Sequence, residues 1–140
     1  MGLAVILAAA CGGPKSRVSK GHVENVLDQQ PTRGGYLEAI GIGGADPALP
    51  TDTQRKALSR DAAIVKAQYE MLSMVKGVEL EGGITVSRAL ETDSSLEAKI
   101  RETIRGAEIV KTEYTSDNGA VVTIRLPRKR LEEMMGVKFK

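Results

Sequence analysis

Tryptophan is absent from this chain, phenylalanine occurs once and tyrosine three times in 140 residues. A protein that binds single-stranded nucleic acid stacks bases on aromatic rings along a basic groove. Neither ingredient is present in quantity. Lys and Arg total 20 against 18 Asp and Glu, for a net charge of +2, and the two signs are interspersed. The densest basic run, Arg128-Lys129-Arg130, is followed at once by Glu132 and Glu133. The composition therefore excludes a dedicated nucleic-acid binder. One cysteine excludes an internal disulfide. The one histidine, His22, has no second histidine or neighbouring cysteine to share a metal, so none is expected. No apolar run reaches the roughly 20 residues that a membrane-spanning helix needs.

What the chain does have is one long helical pattern from Thr51 to Lys76. Thr51 and Gln54 have capping-box spacing, and Asp52 places a negative charge in the first turn, where the helix dipole favours it. Gly77 is the expected stop. Leu58, Ala62, Val65, Tyr69, Leu72 and Lys76 recur at steps of four and three. Ala57, Ile64, Met71 and Val75 widen that stripe, and Arg55, Lys56, Arg60, Lys66 and Glu70 occupy the wet side. The pattern predicts a helix roughly 40 Å long, at about 1.5 Å per residue, buried along this stripe.

The remaining elements are short. Tyr36–Ile42 alternates as a strand, with Leu37 and Ala39 on one face and Tyr36, Glu38, Ile40 and Ile42 on the other. The glycines at 41, 43 and 44 match neither a phosphate loop nor a dinucleotide fingerprint and read as a turn. Val78, Leu80, Ile84 and Val86 share one parity across Gly82-Gly83 and predict a strand bent at the glycine pair. A second helix is expected over Thr92–Arg105, capped at Ser94 and buried along Leu96, Ile100 and Ile104. Ala107–Thr115 and Ala120–Leu126 predict a hairpin turned at Ser116-Asp117-Asn118-Gly119. Arg128–Met135 predicts a short amphipathic helix, trailed by Val137 and Phe139.

The element order is β-α-β-α-β-β-α, and the expected class is α+β. Two helices cover one face of a small, mostly antiparallel sheet. The other face and an edge stay open. Residues 36–127 form the core domain, and residues 128–140 the C-terminal helix and tail.

Ahead of the domain, residues 1–10 are entirely apolar and lead through small residues into Cys11. That is the shape of the end of a secretory signal. A signal also carries a positive n-region, so its start would lie upstream of Met1. The same run could instead be a buried strand ending in a free core cysteine. Residues 11–35 are polar and rich in glycine, and read as a flexible tether.

Leu7-Ala8-Ala9-Ala10-Cys11 resembles the lipobox of bacterial lipoproteins. The resemblance implies cleavage before Cys11 and lipid on its thiol. Gly12 is not the Asp that marks inner-membrane retention, which implies the outer membrane. The domain itself is similar to a family of small outer-membrane lipoproteins that includes the flagellar assembly lipoprotein FlgP and related surface lipoproteins. The likeness rests on four features. They are the aromatic-led strand with its Gly-rich end at Tyr36–Gly44, the row Ala63, Ala67 and Met71 with Leu72 adjacent, Gly77-Val78, and Gly106-Ala107-Glu108-Ile109-Val110. It implies a structural part of an envelope ring, disc or tube, possible flagellar or other envelope partners, and no catalysis. Some such folds look like dodecins, small flavin-binding shells, which leaves a flavin-binding oligomer as the alternative. The absence of Trp, the usual stacking partner there, counts against it.

No catalytic constellation is found. Cys11 has no positioned histidine, and Asp61, Glu70, Glu97 and Glu102 lie at helix-surface spacings. Self-association is expected instead, through the C-terminal apolar residues Leu131, Met134, Met135, Val137 and Phe139.

Overall fold

The computed structural model describes residues 16–23 and 35–140. The described residues form five strands and four helices: β1 (Val18–Ser19), β2 (His22–Val23), β3 (Tyr36–Gly43), α1 (Asp52–Lys76), α2 (Val86–Thr92), α3 (Leu96–Arg105), β4 (Glu108–Tyr114), β5 (Ala120–Pro127) and α4 (Arg128–Met135). The class is α+β with small antiparallel sheets. The main sheet has the order β3-β5-β4, antiparallel throughout, so the last strand lies between the other two. Asn118, with φ of 65°, supplies the left-handed residue that turns β4 into β5.

The inner face follows the period of two. Leu37 and Ala39 on β3, with Ala120, Val122, Ile124 and Leu126 on β5, are buried against the helices. Met71, Leu72 and Val75 of α1, Ile100 and Ile104 of α3, and Leu131 of α4 complete the core. Helix α1 begins as its sequence predicts, with the Thr51 hydroxyl accepting the Gln54 amide at 3.2 Å. It ends at Gly77, whose amide bonds the carbonyls of Met74 and Val75.

The buried face of α1 differs from the expected one. The row against the sheet is Ser59, Ala63, Ala67, Met71 and Val75, joined by Leu72. The cause lies in β3. Gly41 and Gly43 point at the helix, and the helix backbone fills the space their side chains would take. A Cβ on Gly41 would stand 2.9 Å from the Ala67 Cα, and one on Gly43 would stand 2.7 Å from the Ala63 nitrogen. Only small residues allow so close an approach, so the Ser-Ala-Ala row wins over the larger residues on the neighbouring face.

Two further elements differ from expectation. The strand predicted over Val78–Val86 is instead a miniature hairpin followed by α2. Gly82 and Gly83 have φ of 105° and 88°, a region closed to most side chains, and the chain reverses there. Leu80 donates to Ile84 at 2.7 Å and Val86 to Val78 at 2.9 Å. Thr85 then caps α2, accepting the Arg88 amide at 3.2 Å. The predicted helix over Thr92–Arg105 begins only at Leu96. Ser94 is not its cap. Asp93 is extended, and its carboxylate accepts the Ser95 amide at 3.0 Å and the Ser95 hydroxyl at 2.7 Å.

The outer face of the sheet is not bare. Ile40, Val121 and Thr123 are buried on it. Within the stretch read as a tether, residues 16–23 form the β1–β2 hairpin, which docks on β4. The Glu113 carboxylate accepts the Ser16 hydroxyl at 2.6 Å and the Arg17 amide at 2.7 Å. Ser116 donates its amide to the Gly21 carbonyl at 2.9 Å. Glu113 is paired opposite Val121, so this clamp lies on the outer face. The β4 edge carries a bulge between Ile109 and Lys111 and the charges of Glu108, Lys111 and Glu113, which discourage edge-to-edge pairing.

Candidate interaction surface

Placing the small-residue row of α1 against the sheet leaves the larger apolar residues of the same helix facing out. Leu58 is 46% exposed, Val65 66% and Tyr69 63%. Ala62, exposed between them, makes the stripe continuous. Soluble surfaces carry single apolar residues routinely, whereas a contiguous row along a rigid helix marks a contact surface. The α1 backbone is held at both ends, so the row keeps its geometry. At the start, Asn118 donates to the Asp52 carboxylate at 3.0 Å, and the Ser59 hydroxyl donates to the Asn118 carbonyl at 2.7 Å. At the finish, Lys76 pairs with Glu97 of α3 at 2.9 Å.

That last pair sets the direction of α3, which runs back along α1 from Glu97 toward Arg105. Between the two helices is a groove of about 200 Å³, lined by Val65, Gln68, Tyr69, Leu72, Arg101, Ile104 and Arg105. Its floor is apolar and its rim on the α3 side is basic. A wider, open concavity of about 550 Å³ lies beside α4 and the tail, lined by Lys129, Glu132, Glu133, Gly136, Val137 and Lys138.

The C-terminal residues expected to self-associate separate into two groups. Leu131 is 0% exposed and Phe139 5% exposed, both inside the chain's own core. Phe139 bridges to Leu80, and the tail is held there by the Glu81 amide on the Lys138 carbonyl and the Lys140 amide on the Glu79 carbonyl, each 2.9 Å. Met134 and Met135 are half-buried against the core. Val137 alone of the five remains exposed. The tail finds a partner strand in the miniature hairpin, a pairing with no local sequence signal. The C-terminal apolar residues are thus largely consumed within the chain, and the two most exposed large apolar side chains among the described residues, Val65 and Tyr69, are on α1. The signal for their exposure lay in the small-xxx-small row Ser59, Ala63, Ala67 facing a Gly-x-Gly strand.

Cys11 lies outside the described residues. His22 is exposed on β2. Among the described residues, no group of three or more His, Cys, Asp and Glu is placed to hold a metal, and no helix is long and apolar enough to cross a membrane. The perturbed carboxylates each have a local cause. Hydrogen bonds from Ser95 lower the pKa of Asp93. Lys76 and then Arg101 lower that of Glu97. The Thr115 hydroxyl lowers that of Asp117, in the β4–β5 turn. For Glu113, burial pushes the carboxyl up, but the Ser16 hydroxyl and the Arg17 amide outweigh it and hold it below the ordinary value. These are cap, turn and clamp hydrogen bonds and, at Glu97, surface ion pairs.

Comparison with protein-family models, with curated proteins and with solved structures finds no match to this chain.

Proposed function

We propose that this chain is a bacterial lipoprotein, anchored in the outer membrane through lipid on Cys11, whose folded domain works by self-assembly as a structural part of an envelope ring, disc or tube. The observation that carries this reading is the exposed stripe on α1. The longest helix of the fold presents Leu58, Ala62, Val65 and Tyr69 to water on a backbone locked at both ends. A row of this kind is stable in solution when something covers it. The lipobox-like run before Cys11 supplies the membrane end, and the resemblance to flagellar-assembly and surface lipoproteins supplies the setting.

The rival, a small flavin-binding oligomer, would use the α1–α3 groove, where Tyr69 is the single ring among the lining residues. One measurement separates the two. The full chain with Cys11→Ser is purified, and its mass is read by light scattering over a range of concentrations, alongside its absorbance spectrum. Mass that grows with concentration, without a chromophore, supports assembly. A fixed small species carrying a yellow ligand supports the rival and overturns the assembly reading.

A further inference from the structure

The spacing of the stripe on α1 reads the same in both directions. Its residues, Leu58, Ala62, Val65 and Tyr69, are spaced four, three, four. Reversal about the midpoint between Ala62 and Val65 exchanges Leu58 with Tyr69 and Ala62 with Val65. A helix face with this spacing suits a second copy of itself laid antiparallel across it, since Leu58 then meets Tyr69 and the smaller Ala62 makes room for Val65. A self-complementary patch of this kind is what a two-fold interface requires.

The charges beside the stripe choose the same orientation. Residues on a helix advance by about 100° each, which puts Asp61, Gln68 and Leu72 on one flank of the stripe and Arg55 and Lys66 on the other. The flank with Asp61 is the one that α3 borders, because Gln68 and Leu72 line the α1–α3 groove together with Arg101 and Arg105. The Lys76–Glu97 pair places the start of α3 beside the end of α1, so Arg105 lies near Val65 and Gln68. In an antiparallel pair about a two-fold axis, like flanks face each other. Position 61 of one copy then falls at the level of residue 66 of the other, on the flank where Arg105 stands. Among the described residues neither Asp61 nor Arg105 has an ion-pair partner in its own chain. A parallel pair would bring Asp61 to the opposite flank, toward Arg55 and Lys66, and leave Arg105 unmatched.

We infer that two copies of this chain pair antiparallel along the outer stripe of α1, with Leu58 of the partner subunit seated in the α1–α3 groove and Asp61 of the partner subunit against Arg105. The inference rests on the assembly reading and specifies its first contact. One such contact makes a pair, and a ring or tube repeats that pair through a second contact.

The test uses the full chain with Cys11→Ser, its mass followed by light scattering against concentration and its fold by circular dichroism. Val65→Glu, at an exposed position that the core does not use, should keep the fold and weaken pairing by about tenfold or more. Asp61→Arg alone and Arg105→Asp alone should each weaken pairing, because each sets like charges together. The double reversal should return it to within about threefold of the parent, since the coupling belongs to that pair. A parent that assembles while Val65→Glu assembles equally well overturns this contact and leaves self-assembly standing. Singles that weaken pairing without rescue in the double overturn the antiparallel arrangement. A parent that stays monomeric at every concentration overturns both.

Discussion

Gly41 and Gly43 let the backbone of β3 lie directly against the backbone of α1. A methyl group at Gly41 has only main chain to push against, and main chain in the middle of a 25-residue helix cannot step aside. Gly41→Ala should therefore destabilise the fold by at least about 3 kcal/mol, at the upper end of what overpacking costs. A urea titration that finds less than about 1 kcal/mol would mean the helix rides higher on the sheet. The two faces of α1 can be told apart in the same way. Leu72 is buried against α3 and Val65 is open to water. Leu72→Ala should cost about 2–5 kcal/mol, through lost burial and the cavity left behind. Val65→Ala should stay within about 0.5 kcal/mol when measured on the separated monomer. Equal costs for the two would reverse the faces.

The β1–β2 hairpin is an element with little core of its own, and its attachment is chiefly polar. The ionised Glu113 carboxylate receives the Ser16 hydroxyl and the Arg17 amide, and these bonds hold its pKa below the ordinary 4.5. A carboxylate lowered in the folded state stabilises docking fully above its unfolded pKa. That contribution fades as the pH falls through the lowered folded value. The hairpin should accordingly stay docked at neutral pH and loosen in acid before the core melts. Glu113→Gln should loosen it at every pH, read as faster tryptic cleavage after Arg17 and Lys20 with unchanged helix content. Cleavage at the parental rate would show that the clamp does not hold the hairpin. The hairpin, α2 and the tail also mark where local sequence signals were weakest. Val78, Leu80, Ile84 and Val86 alternate as a strand should, but the glycine pair reverses the chain, and Thr85 is a helix cap sitting inside an apparent strand.

At the scale of the whole molecule, the proposed roles separate into an anchor and an assembling body. If Cys11 is lipidated, the mature protein begins there, and stable attachment follows from more than one acyl chain at about 0.8 kcal/mol per buried CH₂. Mass spectrometry of the native protein should find an acylated Cys11 at the N-terminus. An unmodified Cys11 still preceded by Met1 would remove the anchor and, with it, the outer-membrane reading. Loss of the anchor would leave the α1 stripe untouched, so membrane attachment and self-association can be judged independently.

The extent of α1 was written in its own residues, because the Thr51 cap and the Gly77 stop act within a single turn and need no tertiary partner. The same holds for the β4–β5 hairpin, whose Asn118 takes a left-handed conformation locally, and for the inner stripe of α3, where Ile100 and Ile104 are buried and Leu96 is half-buried. Alternation along β3 and β5 likewise determined which residues share a face. Which face of α1 turns inward was decided elsewhere. Hydrophobicity favours the row with Leu58, Val65 and Tyr69, but a strand with glycine at 41 and 43 accepts only a row of small residues, so close packing overrode the larger apolar area. The tail followed the same logic. Leu131 and Phe139 look like a free apolar patch in one dimension, yet the fold spends them on its own core, because the reversal at Gly82-Gly83 offers Phe139 a strand to pair with. Periodicity and caps are local and could be read along the chain. The choice between two apolar faces depends on the shape of the surface that meets them, and only the folded chain contains it.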